Sequence, residues 1–202
     1  MARIKPAPEQ DLSDEVRLAL QQARSGVAQL TGRDLKGAVE PQELYAAYAP
    51  ALFAALQGLG RASSQLTGLD KRIRALAQLK AATMTHCEYC IDVGSLISRC
   101  WGLTDEELLA LPSYRNSALF SELDKLVLEY AVGISRTPVD VPDDLFEQLK
   151  QHFTEAQLVE LTHIIAGENM AGRFNVALGI GPAGFSEGMV CAVPAGSARS
   201  NV

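Results

Sequence analysis

The sequence predicts an all-α fold, and three observations carry that expectation. The chain is rich in Ala, Leu, Glu and Gln, which are strong helix formers. Aromatic residues are only 6%, and no period-two apolar pattern runs for more than a few residues. Three segments, Thr85 to Glu88, Thr104 to Glu107 and Thr154 to Gln157, carry the spacing of a capping box at a helix start. With 48% hydrophobic residues the 202-residue chain can build a core without disulfides or metal.

The elements follow in order. Residues 1–10 read as a loose arm, and Val16, Leu18, Leu20, Ala23, Val27 and Leu30 then mark an amphipathic helix from Asp11 to Thr31. A polar linker with Gly32, Gly37 and Pro41 separates it from a helix over Glu43–Leu56, apolar nearly all round and ended by Gly58-Leu59-Gly60. Further helices are expected over 66–83, from His86 to Arg99 with Thr85 as N-cap, and from Thr104 to just before Pro112. Three more cover 117–134, 143–152 and 154–175, with Pro138 and Pro142 breaking the chain between the first two. Residues 176–202, rich in Gly, Pro and Ser, read as irregular. The expected organisation is an N-terminal arm and helix over 1–40, one helical domain over 41–190 and a flexible tail over 191–202.

Charge and hydropathy exclude several classes. The net charge is −6, with no basic stripe to displace counterions from phosphates, so nucleic acid is not an expected partner. The run Lys71-Arg72-Ile73-Arg74 reads as a solvated helix face. No segment approaches the roughly 18 consecutive apolar residues of a membrane span. The start Met1-Ala2-Arg3-Ile4-Lys5-Pro6 lacks the apolar core of a signal peptide. A cytoplasmic location is therefore expected, where a close cysteine pair is catalytic or metal-binding more often than structural.

That pair is Cys87-Glu88-Tyr89-Cys90. With Thr85 as N-cap, Cys87 would stand in the first helical turn, where free N–H groups and the helix dipole lower a thiol pKa from ~8.5. Cys90, three residues on, shares its face. One thiolate to attack and a neighbour to resolve is what reversible disulfide chemistry requires. Zinc would need about four ligands, and Cys100, Cys191, His86, His152 and His163 offer no second close pair; no metal or other cofactor is expected.

Arg74-Ala75-Leu76-Ala77-Gln78-Leu79-Lys80, His86-Cys87-Glu88-Tyr89-Cys90-Ile91-Asp92 and Trp101-Gly102-Leu103-Thr104-Asp105-Glu106-Glu107-Leu108 together resemble the carboxymuconolactone decarboxylase and alkylhydroperoxidase D-like superfamily. Residues 120–175 look like its remaining helices. The resemblance implies an alkylhydroperoxidase D-like helical domain assembled into trimers or hexamers. Its peroxidase branch reduces hydroperoxides through two cysteines and is recharged by an external dithiol of the lipoamide or thioredoxin kind. By position Cys90 would attack and Cys87 would resolve. Capping physics, in contrast, makes Cys87 the more acidic thiol.

The chain departs from the peroxidase pattern twice. The glutamate expected twelve residues before the first cysteine is Ala75, and the histidine expected four residues after the second is Gly94. Glycine inside a helix costs about 1 kcal/mol relative to alanine, so Gly94 signals a close helix contact. His86 is the nearest imidazole and joins Cys87 and Cys90 as a candidate catalytic residue. Asp92 lies about 200° round the helix from Cys90, and Glu168 and His163 approach only from the late helix. The leading reading is a hydroperoxide-reducing thiol oxidoreductase. A decarboxylase-like lyase or isomerase, and a non-enzymatic redox-sensing oligomer, are the alternatives. Gly179-Ile180-Gly181-Pro182-Ala183-Gly184 has the spacing of a dinucleotide fingerprint but follows a helix, and reads as a turn. Asn169, Arg173 and Asn175 read as helix-end or subunit contacts, and Tyr45, Tyr48 and Phe53 as core or oligomer surface.

Overall fold

A computed structural model describes residues 2–32, 41–192 and 194. Residues 33–40, most of the expected linker, and most of the expected tail lie outside these residues; Pro41, expected in the linker, starts a helix. The described residues form nine α-helices and no strand: α1 (Asp14–Thr31), α2 (Pro41–Tyr48), α3 (Pro50–Ser64), α4 (Lys71–Met84), α5 (Glu88–Cys100), α6 (Asp105–Ala110), α7 (Glu122–Ser135), α8 (Asp143–Lys150) and α9 (Glu155–Leu178). Among the described residues no helix is long and apolar enough to cross a membrane.

The architecture is built around α4, which packs against α5, α7 and α9. Its sequence is apolar on nearly every turn. Leu76, Leu79 and Ala82 face one core with Leu96, Leu108 and Leu128. Ile73, Ala77 and Ala81 face a second, with Val127, Leu161 and Ile165. The alanines let neighbouring helices approach closely, while each buried leucine contributes roughly 1.5–3 kcal/mol. A third, smaller core joins Leu20, Ala46 and Phe53 of α1, α2 and α3.

Three expectations are corrected here. The segment read as one helix over 43–56 is two, because Pro50 cannot donate a backbone hydrogen bond and instead starts α3 at its first turn. Gly58 and Gly60 do not end α3, which runs to Ser64. The basic run is not a solvated face: Arg72 pairs with Glu107 at 2.5 Å and Asp124 at 3.0 Å. Arg74 pairs with Glu160 at 3.1 Å. These acids come from α6, α7 and α9, so the run ties α4 to its neighbours.

The described residues after α9 are irregular, as expected, yet they are docked on α5. Gly179 ends α9 in the left-handed conformation (φ 64°). Asp92 then accepts hydrogen bonds from the backbone N–H groups of Ala183, Phe185 and Ser186 at 2.7–3.0 Å. The glycine-spaced stretch is thus a turn pinned to α5, and Asp92 serves that anchoring.

Candidate active site

The site is built at the junction of α4 and α5. Thr85 closes α4, its hydroxyl donating to Ala82 O at 3.0 Å and Ala81 O at 3.3 Å. His86 turns the chain in the left-handed region at φ 55°, a position that His occupies more readily than most L-residues. Its side chain is exposed. Cys87 then returns to extended geometry and is the N-cap of α5, its Sγ accepting the Cys90 N–H at 3.1 Å.

The capping box expected from Thr85 and Glu88 is therefore absent, and α5 starts two residues later than predicted. Tertiary packing explains the difference. Gly172 of α9 lies against Thr85 so closely that a Cβ there would sit 2.4 Å from Thr85 Oγ1. This contact holds Thr85 on the end of α4 and leaves the sulfur of Cys87 to cap α5.

Cys87 and Cys90 are joined by a disulfide, with 5.2 Å between their Cα atoms. Cys87 is fully buried (0% exposed), whereas Cys90 lines two cavities. The same approach of α9 brings Asn175 to the sulfurs, its Nδ2 donating to Cys87 Sγ at 3.5 Å and Cys90 Sγ at 3.4 Å. The sequence reads Asn169, Arg173 and Asn175 together as helix-end or subunit contacts. Asn169 and Arg173 do reach the end of α7 and a residue beyond it, bonding Ser135 Oγ at 2.9 Å and Thr137 Oγ1 at 2.7 Å, whereas Asn175 faces the sulfurs. The signal that marks Asn175 is its spacing of seven from Glu168, which puts both on one face of α9.

The larger cavity, about 330 Å³, lies between α2, α3, α5 and α9, with Tyr45, Phe53, Tyr89, Cys90, Glu168 and Phe174 in its wall. Tyr45 stacks on Phe174 with ring centroids 4.3 Å apart. Tyr45 and Phe53, read from the sequence as core or oligomer surface, thus face the cysteine pair across a cavity, while Tyr48 is exposed. The smaller cavity, about 70 Å³, lies behind Cys90 and is bounded by Ala75, Gly94, Val93, Trp101 and Glu168. Gly94 makes the close helix contact its sequence position announced, since a Cβ there would come 3.2 Å from Leu79 Cδ1 of α4.

Electrostatically the site is apolar with a few unpaired polar groups. Among the described residues Gln42 Oε1 and Asn175 Oδ1 are buried without a hydrogen-bond partner, and both residues line the larger cavity. Desolvation pushes the Glu168 carboxyl up to about 7. Part of Glu168 is accessible because it faces the cavities, but apolar protein surrounds it. His163 is held elsewhere, Nε2 lying 2.8 Å from Ser63 Oγ. No cluster of metal-ligating side chains exists among the described residues.

A helical domain with a buried cysteine pair capping one inner helix, opening on an apolar cavity, defines a helical dithiol protein. The carboxymuconolactone decarboxylase family model matches residues 50–131 of this chain. Escherichia coli K12 YnjA is 39% identical over 127 residues, which are 62% of this chain and 66%, just under two thirds, of YnjA. A peroxidase-related protein of Ralstonia eutropha JMP134 with an alkylhydroperoxidase AhpD core superposes with a TM-score of 0.69 at 21% identity, covering 90% of this chain and 92% of that one. The debrominase Bmp8, in complex with 2,3,4-tribromopyrrole, shares the fold at TM-score 0.72 and 17% identity, covering 89% of this chain and 92% of Bmp8.

Proposed function

We propose that this protein is a thiol oxidoreductase that reduces organic hydroperoxides through Cys87 and Cys90. The observation that carries the reading is the asymmetry of the pair: Cys90 faces the apolar cavity while Cys87 is sealed behind it. In the reduced protein the Cys90 thiolate attacks the terminal peroxide oxygen. The O–O bond breaks, the alcohol leaves, and Cys90 becomes a sulfenic acid. Cys87 then attacks Cys90 Sγ, the S–O bond breaks, water leaves and the disulfide forms. An external dithiol of the lipoamide or thioredoxin kind reduces it again.

The helix start supports this assignment of roles. The Cys90 N–H points at Cys87 Sγ and favours a thiolate there, which suits a resolving cysteine that must be deprotonated as the sulfenic acid appears. Asn175 Nδ2 reaches both sulfurs and stabilises charge on either. Its free Oδ1, with Gln42 Oε1, offers acceptors for the peroxide O–H. His86 belongs to this reading only through solvent, since its side chain is exposed. Assembly of several copies, as trimer or hexamer, and a cytoplasmic setting complete the proposal.

The test is consumption of tert-butyl hydroperoxide with dihydrolipoamide as reductant, on wild type, Cys87→Ser and Cys90→Ser. Wild type is expected to turn over, Cys87→Ser to stall with one oxygen added at Cys90, and Cys90→Ser to do neither. No peroxide turnover in wild type would overturn the reading. Activity on a lactone substrate surviving replacement of both cysteines would replace it by a lyase.

A further inference from the structure

Peroxide reduction at Cys90 moves protons twice: the thiol must lose one, and the leaving alkoxide must gain one. A neutral thiol with pKa ~8.5 is largely protonated at pH 7, so a nearby acceptor is required. The two neighbouring positions on α4 and α5 where a side chain could supply it hold Ala75 and Gly94, and the space they leave is the 70 Å³ cavity behind the sulfur. Glu168 enters that cavity from α9.

We propose that Glu168 is the proton acceptor and donor for Cys90, reaching from α9 into the space that Ala75 and Gly94 leave open. The proposal rests on Cys90 being the reacting thiol. Glu168 lines both cavities that Cys90 lines, so the two residues border the same enclosed space twice over. Asn175, two turns along the same face of α9, reaches Cys90 Sγ at 3.4 Å, which sets that face against the cysteine pair. Among the described residues the Glu168 carboxylate has no hydrogen bond or ion pair that would occupy it in a structural role.

The surroundings suit proton exchange. The other ionisable groups lining either cavity are Cys90 and Tyr89 on α5 and Tyr45 on α2. Among the described residues no Lys, Arg or His lines either one. Arg74 lies over the Trp101 ring at 5.9 Å but is paired with Glu160, and His163 is held by Ser63. Desolvation is thus uncompensated, and it raises the Glu168 carboxyl to about 7, close to a thiol and to neutral pH, the match an acid–base group needs.

The protons balance. Glu168 carboxylate takes the Cys90 thiol proton. The thiolate attacks the terminal peroxide oxygen, and the alkoxide released by O–O cleavage takes the proton back from Glu168. Net, Cys90-SH and ROOH give Cys90-SOH and ROH, with Glu168 again a carboxylate for the next cycle.

The experiment reads Cys90 without a peroxide. In the prereduced Cys87→Ser protein, iodoacetamide alkylation of the Cys90 peptide is followed between about pH 5 and 9, with Glu168 intact and as Glu168→Gln. The same pair is then challenged with tert-butyl hydroperoxide. With Glu168 intact, alkylation is expected to show an inflection near neutrality in addition to the thiol's own. Glu168→Gln is expected to lose it, and Cys90 oxidation by the peroxide to slow by about 100-fold. Superimposable alkylation profiles would overturn the proposal. If Glu168→Gln fails to fold, Glu168→Asp replaces it: the inflection is expected to persist with slower oxidation, and an unchanged oxidation rate counts against Glu168. Absence of peroxide consumption in wild type, with the alkylation profiles still different, sinks the hydroperoxide reading while leaving this one standing.

Discussion

Among the described residues three helices begin with a reciprocal capping box, and α5 begins with its sulfur counterpart. In α6, α7 and α9 a Thr or Ser oxygen accepts the N–H three residues on, and the residue there reaches back to the N-cap N–H: Thr104 with Glu107, Ser121 with Asp124, Thr154 with Gln157. In α5 the capping atom is Cys87 Sγ, and the side chain three residues on, Cys90, reaches back to it as a covalent bond. The oxygen boxes hold their helices, and two of them also tie α4 to α6 and α7 through Arg72, but none offers an atom that can be oxidised. The sulfur box holds its helix with an atom that can be oxidised, so the same contact that satisfies a backbone donor also tunes a thiol.

The strongest way to separate the two kinds of start is to exchange sulfur for oxygen. Cys87→Ser keeps a preferred N-cap residue, so denaturant unfolding under reducing conditions is expected to change by less than about 1 kcal/mol. Peroxide turnover in the same protein is expected to fall by about 100-fold or more, because attack and resolution act as a unit. A large loss of stability with turnover kept would reverse the assignment.

Next in size is Gly172→Ala, aimed at the contact that makes α5 unlike the others. Its new Cβ would press on Thr85 Oγ1, and overpacking of this kind costs about 1–3 kcal/mol. Slower closure of the Cys87–Cys90 disulfide is expected with it, since Asn175 rides on the same helix. A stabilised variant with unchanged closure would show that the close approach of α9 does not govern the site.

Thr154→Ala should do the opposite of Cys87→Ser: about 1 kcal/mol less stable, read from a urea midpoint, with peroxide consumption unaltered. The smallest effect concerns pH. Burial alone would raise the Asp124 carboxyl, but the hydrogen bond from Arg72, together with those from Ser121, overrides it and holds the group below its ordinary value. A carboxylate depressed in the folded state contributes stability above its unfolded pKa near ~3.9 and loses it as pH falls through the folded value. Stability is thus expected to decline below about pH 4, and Asp124→Asn to flatten that acid limb. A limb equally steep in the variant would place the acid sensitivity elsewhere.

The pattern of the chain by itself determined a good deal. Helical periodicity and local caps are short-range, so α6 and α9 were legible from Thr104/Glu107 and Thr154/Gln157, and Gly94 announced its close contact. The Cys87 and Cys90 pair was legible because three residues of spacing bring two side chains together on any helix start. Three-dimensional packing alone decided the rest. Thr85 and Glu88 carry the same local signal as the other boxes, and Gly172, 87 positions away from Thr85, cancels it by crowding the hydroxyl. Tyr45 and Phe53 carry no local mark of a site either, and Glu168 and Asn175 carry only their shared face of α9. Burial and unpaired polar atoms arise only when α2, α3 and α9 close on α5, since desolvation depends on everything that surrounds a group and not on its neighbours along the chain.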